Sequence, residues 1–210
     1  MHVRVTRDDV TDLRAGVATA MAGFPRQGIA LDGRRLSAVA LVVGADADGR
    51  GAFLLTRRAA RLRAHAGQWA LPGGKAEPGE DPVTTARREL AEEVGLELSA
   101  GDTLGLLDDY ATRSGYVMSP VVLWAGTRLS AVRPDAGEVE SVHVVPLDDL
   151  SVAPRFVSIP ESERPVIQVP LLDRLIHAPT GAILYQFAEL VLHGRHTRVA
   201  AFEQPVFAWR

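Results

Sequence analysis

The stretch LPGGKAEPGEDPVTTARRELAEEVGL, residues 71–96, sets out a loop, a helix and an exit turn in that order. Asp81 followed by Pro82 is a helix start, because proline suits the first helical position and an aspartate can accept from the free amides of the first turn. Gly95 suits the left-handed exit. The spacing therefore predicts a helix over residues 82–94. Its apolar stripe is Val83, Ala86, Leu90 and Val94, while Glu89 and Glu93, four apart, share another face with Glu92 beside them. Three carboxylates are expected to converge there, behind the loop that holds Gly73, Gly74 and Glu80.

Outward from this segment the pattern alternates between strand and helix. Val10, Leu13, Val17, Met21 and Phe24 recur at helical steps over residues 9–24, and Pro25 ends the run. Short β-rich runs at 36–43, 52–56, 116–124 and 142–145 read as strands, the first two joined by the turn at 46–51. The last clear helix is expected at 182–192, where Ile183, Phe187 and Val191 share a face, with Thr180 to cap the start and Gly194 the end. Residues 152–165 are the least regular. Helices flanking a mixed sheet predict an α/β fold of the sandwich type. A single domain over 1–210 is expected, with its core at about 36–150 and helical extensions at 9–24 and 172–192.

Composition narrows the chemistry. The chain has 210 residues with a net charge of −3 and no cysteine, which excludes disulfides, cysteine-bound zinc, iron–sulfur clusters and thiol nucleophiles. The charged start, MHVRVTRDDV, does not read as a signal peptide, and no apolar run approaches the ~18 residues of a membrane span, so a cytoplasmic location is expected. Mild acidity argues against nucleic acid as the partner.

Like charges four apart on a helix cost a few tenths of a kcal/mol, roughly 0.2–0.5, so a cluster of them calls for a cation. A solvated acidic face would account for the glutamates alone. It does not account for Gly73-Gly74 and Glu80 ahead of the helix or for Arg88 within the patch. Oxygen-only ligation favours Mg²⁺ or Mn²⁺, hard ions that also bind phosphate oxygens, and points to phosphoryl transfer to water.

The run from Gly74 to Leu96 fits the pattern G-x5-E-x7-R-E-U-x-E-E-x-G-U at every fixed position: Gly74, Glu80, Arg88, Glu89, Leu90, Glu92, Glu93, Gly95 and Leu96. In this it resembles the Nudix box. The resemblance implies a Nudix α/β/α sandwich in which the box hydrolyses a nucleoside diphosphate linked to another moiety. Carried over, it makes Glu89 and Glu93 the principal metal ligands, Glu92 a further ligand or water-activating group, and Arg88 an orienter of the carboxylates. Glu80 would support the metal or Arg88, and the Gly74 carbonyl is a further candidate ligand. Glu92 or Glu93 is the expected base; because the base is not always within the box, Glu138 and Glu140, from a loop before an expected strand, are its rivals.

Upstream, Leu54-Leu-Thr-Arg-Arg58, Leu62, His65, Gly67 and Pro72-Gly-Gly74 resemble the signature of coenzyme A pyrophosphatases, roughly L-L-T-x-R-(S/T)-x-x-L-x-x-H-x-G-x-x-x-F-P-G-G. Ala59 stands where that pattern has Ser or Thr, and Leu71 where it has Phe. The segments around Glu138 and around Ser119-Pro120 are similar to that family too. The resemblance implies cleavage of CoA, or an acyl-CoA, to 3′,5′-ADP and (acyl-)4′-phosphopantetheine. Arg57, Arg58, Arg61 and Arg63 place four cations near the box, of which Arg58 and Arg63 are the expected phosphate contacts, with His65 as a further substrate contact. Spaced arginines can equally be solvated loop residues, and a lone histidine can simply hold a loop. Other substrates in view are NADH, ADP-ribose, a nucleotide sugar or a nucleoside triphosphate. A nucleotide sensor without turnover is the reading from another class. The expected partner is a small nucleotide, without nucleic acid or membrane, and the terminal helices serve packing or a homodimer.

Overall fold

The computed structural model describes residues 10–62 and 66–209. In chain order the helices and strands are α1 (Val10–Ala22), β1 (Arg35–Ala45), β2 (Gly51–Arg58), β3 (Trp69–Ala70), β4 (Gly73–Lys75), α2 (Pro82–Val94), β5 (Thr103–Leu106), β6 (Tyr110–Ala111), β7 (Tyr116–Gly126), β8 (Val139–Pro146), β9 (Arg155–Ile159), β10 (Ser162–Leu171), β11 (Arg174–His177) and α3 (Thr180–Val191). Among the described residues, β1 to β8 form one mixed sheet. Its centre is the parallel pair β1 and β7, in register from Arg35 opposite Tyr116 to Val43 opposite Trp124. The hairpin β1–β2 and the antiparallel pair β2–β8 extend the sheet on one side.

Alternation along the strands builds the two layers that flank this sheet. Ala38, Ala40, Val42, Leu54, Val121 and Leu123 bury against Ala86, Leu90 and Val94 of α2. Val39, Leu41, Val43, Phe53, Leu55 and Val122 face the other way, against Leu13, Val17 and Met21 of α1 and Ile183, Phe187 and Val191 of α3. A strand buried on both faces reads as a continuous apolar run, and β1 has that pattern. The mixed sheet between helical layers is the predicted α/β sandwich.

Short β4 docks on β1 with Lys75 opposite Ser37 and Gly73 opposite Val39. At Gly73 a Cβ would lie 2.7 Å from the Cα of Val39, so only glycine allows this approach. The residues leading into α2 are thereby fixed to the middle of the sheet.

The segment after residue 150 differs from expectation. The helix starts at Thr180, two residues before the expected 182, while 172–177 of the expected helical extension belongs to a hairpin, and the stretch 152–165 contains β9 and the start of β10. Strands β9, β10 and β11 form a second antiparallel sheet, with Val169, Leu171 and Ile176 in the core. The β10–β11 turn is Leu172-Asp173, both with positive φ, 52° and 56°. Tight hairpins need that backbone, but the Gly or Asn that usually announces it is missing. The residue ahead of α3 is Pro179, which offers no side-chain cap. Thr180 instead is the first helical residue, its hydroxyl 3.5 Å from the Trp69 carbonyl.

Candidate active site

The start and end of α2 follow from its sequence. Asp81 accepts from the Thr84 amide at 2.8 Å, Pro82 occupies the first turn, and Gly95 leaves the helix at φ 66° while its amide donates to the Ala91 carbonyl. Ahead of it, Glu80 is held by the Glu77 amide at 2.9 Å and the Thr85 hydroxyl at 3.0 Å.

Arg88 organises the outer half of the site. Its Nε and Nη2 donate to the two oxygens of Glu80 at 2.8 and 3.0 Å, a bidentate pair. Nη1 reaches Glu89 and Glu92, both at 2.9 Å, and Nη2 also donates to the Lys75 carbonyl at 3.0 Å. The Arg88 guanidinium, seconded by the Glu77 amide, holds the Glu80 carboxyl down at about 2. Glu80 is therefore the anchor of Arg88.

Glu93 lies deeper, with its side chain 3% exposed. One oxygen accepts from the Gly73 amide at 3.2 Å, the other from Arg58 Nη1 at 3.3 Å. Burial pushes its carboxyl up to about 7, opposed by Arg58 and the Gly73 amide and reinforced by the charges of Glu89 and Glu138. Burial also raises Glu89, against Arg88, with Glu92 and Glu138 adding repulsion. Glu138 thus acts on both inner glutamates. Its position follows from the turn that precedes β8, where the Arg133 amide donates to Val94 and the Asp135 amide to Glu93, both main-chain carbonyls at the end of α2. Glu140, by contrast, faces Arg57 at 3.3 Å.

The expected convergence of three helix carboxylates needs correction. Glu92, whose side chain is 60% exposed, turns outward onto Arg88, leaving Glu89 and Glu93 as the inner pair. Among the described residues no three acidic or histidine side chains are already gathered as a closed metal cage. The donors nevertheless suit a hard cation in three respects. All are oxygens; Glu93 is buried and Glu89 half-buried, with the charge of Glu138 acting on both; and the Gly74 main chain lies directly against Glu89, where a Cβ would meet Oε2 at 2.6 Å. Closing the cage would require movement of glutamate side chains now held by arginines.

Of the expected substrate contacts, Arg58 sits on Glu93, whereas Arg63 and His65 lie outside the described residues. Arg57 pairs with Glu140, and Arg61 donates to the carbonyls of Ala136 and Gly137. Three participants escaped the sequence reading: the Gly73 amide, the Lys75 carbonyl and the buried Thr85 hydroxyl. Only Thr85 left a signal, as a polar residue on the buried side of an amphipathic helix. Two adjoining cavities, of about 740 and 210 Å³, open beside β3 and share Trp69, Leu175 and His177, and neither includes a box glutamate.

A carboxylate cluster on a loop–helix–loop, seated on one face of an α/β/α sandwich, is the class that fold and site define. The chain belongs to the NUDIX domain family, whose model matches residues 33–166. It is 39% identical over 108 residues to the protein called "Uncharacterized Nudix hydrolase NudL" of Yersinia pestis (strain Pestoides F), covering 51% of this chain and 54% of that one. The NudL protein of Yersinia pseudotuberculosis serotype O:1b (strain IP 31758) matches equally. The chain thus spans about half the length of the curated relatives it matches. Among solved structures it is similar in fold to a MutT/nudix family protein from Enterococcus faecalis, with TM-score 0.55, 15% identity, and coverage of 76% of this chain and 62% of that one. A Nudix hydrolase from M. smegmatis, RenU, aligns with TM-score 0.50 at 22% identity, over 79% of this chain and 89% of that one. No described helix is long and apolar enough to cross a membrane.

Proposed function

We propose that the protein hydrolyses the phosphoanhydride of a nucleoside diphosphate derivative with the help of Mg²⁺ or Mn²⁺. The observation that carries this is the inner pair Glu89 and Glu93, packed against Gly73 and Gly74 and under the charge of Glu138. Glu89, Glu93 and the Gly74 carbonyl would hold the ion, with Glu80 acting through Arg88. The bound ion supplies charge neutralisation at the diphosphate and acidifies water. For the chain's own part, Arg88 fixes Glu89 and Glu92, and the Gly73 amide fixes Glu93.

Water oxygen bonds to phosphorus, the anhydride P–O bond breaks, and its electron pair leaves with the departing phosphate. The water proton passes to a carboxylate. Glu138 suits that role best, because its charge reaches both inner glutamates and no arginine among the described residues pairs with it. Glu92 is exposed and held by Arg88.

For the substrate, coenzyme A or an acyl-CoA is favoured by the motif that begins on β2, a strand whose last residue, Arg58, lies beside Glu93, and by the cations Arg57 and Arg61 next to it. Arg63 and His65 remain part of that proposal. The larger cavity beside Trp69 offers mainly apolar space one strand away from Arg57. The Trp69-Ala-Leu-Pro-Gly-Gly entry, which lacks the phenylalanine of the CoA pattern, favours the second reading, a hydrolase of NADH, ADP-ribose or another nucleotide.

The test is incubation with Mg²⁺ or Mn²⁺ and CoA, acyl-CoA, NADH, ADP-ribose and nucleoside triphosphates, with products identified by mass. Release of 3′,5′-ADP from CoA is expected. Cleavage confined to the other compounds selects the second reading, and no cleavage of any favours a nucleotide sensor.

A further inference from the structure

Two arginines serve the same carboxylate cluster, and they are bound very unequally. Arg88 makes five hydrogen bonds, using Nε and both terminal nitrogens. Among the described residues the Arg58 side chain makes one, of 3.3 Å, to Glu93, and its buried Nε has no partner there. A guanidinium presents donors in a rigid fork, so an engagement that leaves a buried donor unused is a poor fit and easily given up. The backbone of Arg58 is not free to follow a departing side chain, because its amide donates to Gln68 and its carbonyl accepts from Gly67. Glu93 is likewise fixed without Arg58, since its other oxygen is held by the Gly73 amide.

We infer that Arg58 is an exchangeable internal counter-ion, which neutralises Glu93 in the metal-free protein and releases it to an incoming divalent cation. The inference rests on the proposed metal-dependent reading of the site. Arg58 and the cation compete for Oε1 of Glu93, so the cation meets a site whose charge is already partly compensated. Once displaced, the guanidinium stays beside the cluster, tethered by the fixed end of β2, with its donors available to a phosphate oxygen. Metal and phosphate binding are then coupled through a single side chain, and the coupling is reciprocal. Arg88, with Glu80 as its private anchor, is the permanent partner, and Arg58 is the transient one.

Calorimetric titration with Mn²⁺ alone, without nucleotide, tests this on the full chain. Loss of a weak competing ion pair predicts that Arg58→Gln binds Mn²⁺ about fivefold more tightly than wild type. A residue that merely supported the site would give the opposite sign. Wild-type protein provides the second measurement, independent of whether Arg58→Gln folds. In the Nε–H spectrum of the arginine side chains, with Arg58 assigned through Arg58→Lys, adding Mg²⁺ should shift the Arg58 signal more than that of Arg88. Unchanged or weaker Mn²⁺ binding by a folded Arg58→Gln, or an Arg58 signal that stays still as Mg²⁺ binds, overturns the inference and leaves the metal-dependent reading standing. Failure of the wild-type protein to bind Mn²⁺ at all overturns both.

Discussion

In the proposed reaction Glu93 and Glu138 divide the work of the site, and the division follows from what holds each of them. Glu93 is enclosed, with the Gly73 amide on one oxygen and Arg58 on the other. Glu138 is exposed at the rim and acts on Glu89 and Glu93 through its charge. Glu93→Gln keeps the size of the side chain and removes the charge that would hold a cation. Mn²⁺ affinity and turnover should therefore fall together, with kcat down about a hundredfold or more. Turnover intact at saturating Mg²⁺ would refute the assignment of Glu93. Glu138→Gln should leave Mn²⁺ affinity within a few-fold of wild type while kcat falls about 10²–10⁴-fold, the usual contribution of a general base. A Glu138→Gln enzyme with wild-type kcat would return the role to Glu92.

Among the elements, α2 was legible to the residue, because its signals are local: Asp81-Pro82 at one end and Gly95 at the other. The pairing of Arg58 with Glu93 was not, since it joins residues 35 apart through the meeting of β2 with the end of α2. The hairpin β10–β11 was missed for a different reason. Leu172 adopts φ 52° without the glycine or asparagine that makes such a turn readable, and its strain is tolerated because Leu171 and Ile176 on either side are in the core. A left-handed backbone costs a non-glycine residue about 1–2 kcal/mol, and asparagine bears it better than leucine. Leu172→Asn should consequently stabilise the protein by about 1 kcal/mol, raising the melting temperature by about 2–4 °C. Thermal unfolding followed by circular dichroism checks this, and a lowered melting temperature would mean that the packing of Leu172 outweighs its strain.

Across the whole molecule, the two sheets are joined by the segment that follows α3. The Glu203 amide donates to the Pro165 carbonyl, Tyr110 donates its hydroxyl hydrogen to the Phe202 carbonyl, and the Arg113 amide donates to the Gln204 side chain. The carboxylate of Glu203, itself 1% exposed, takes Arg113 from the turn between β6 and β7, and Arg164 and Ser162 from β10. A buried charge is tolerable only with such partners. Burial acts to raise the carboxyl, but the hydrogen bonds from Arg113, the Gln204 amide, Arg164 and Ser162 outweigh it and bring it down to about 2 from an ordinary 4.5. A carboxyl depressed on folding binds more protons in the unfolded chain, so its contribution to stability is complete above about pH 4.5 and is lost as pH falls toward 2. Glu203→Gln should cost about 1.5–3 kcal/mol at neutral pH, the range for hydrogen bonds to a charged group. The gap between wild type and variant should then narrow steadily below pH 4.5, because protonation takes from the wild type what the substitution has already removed. Urea unfolding of both proteins from pH 7 to pH 2.5 measures that gap. A difference that stayed constant over the range would show that Glu203 joins the sheets by shape and neutral hydrogen bonding, not by its charge.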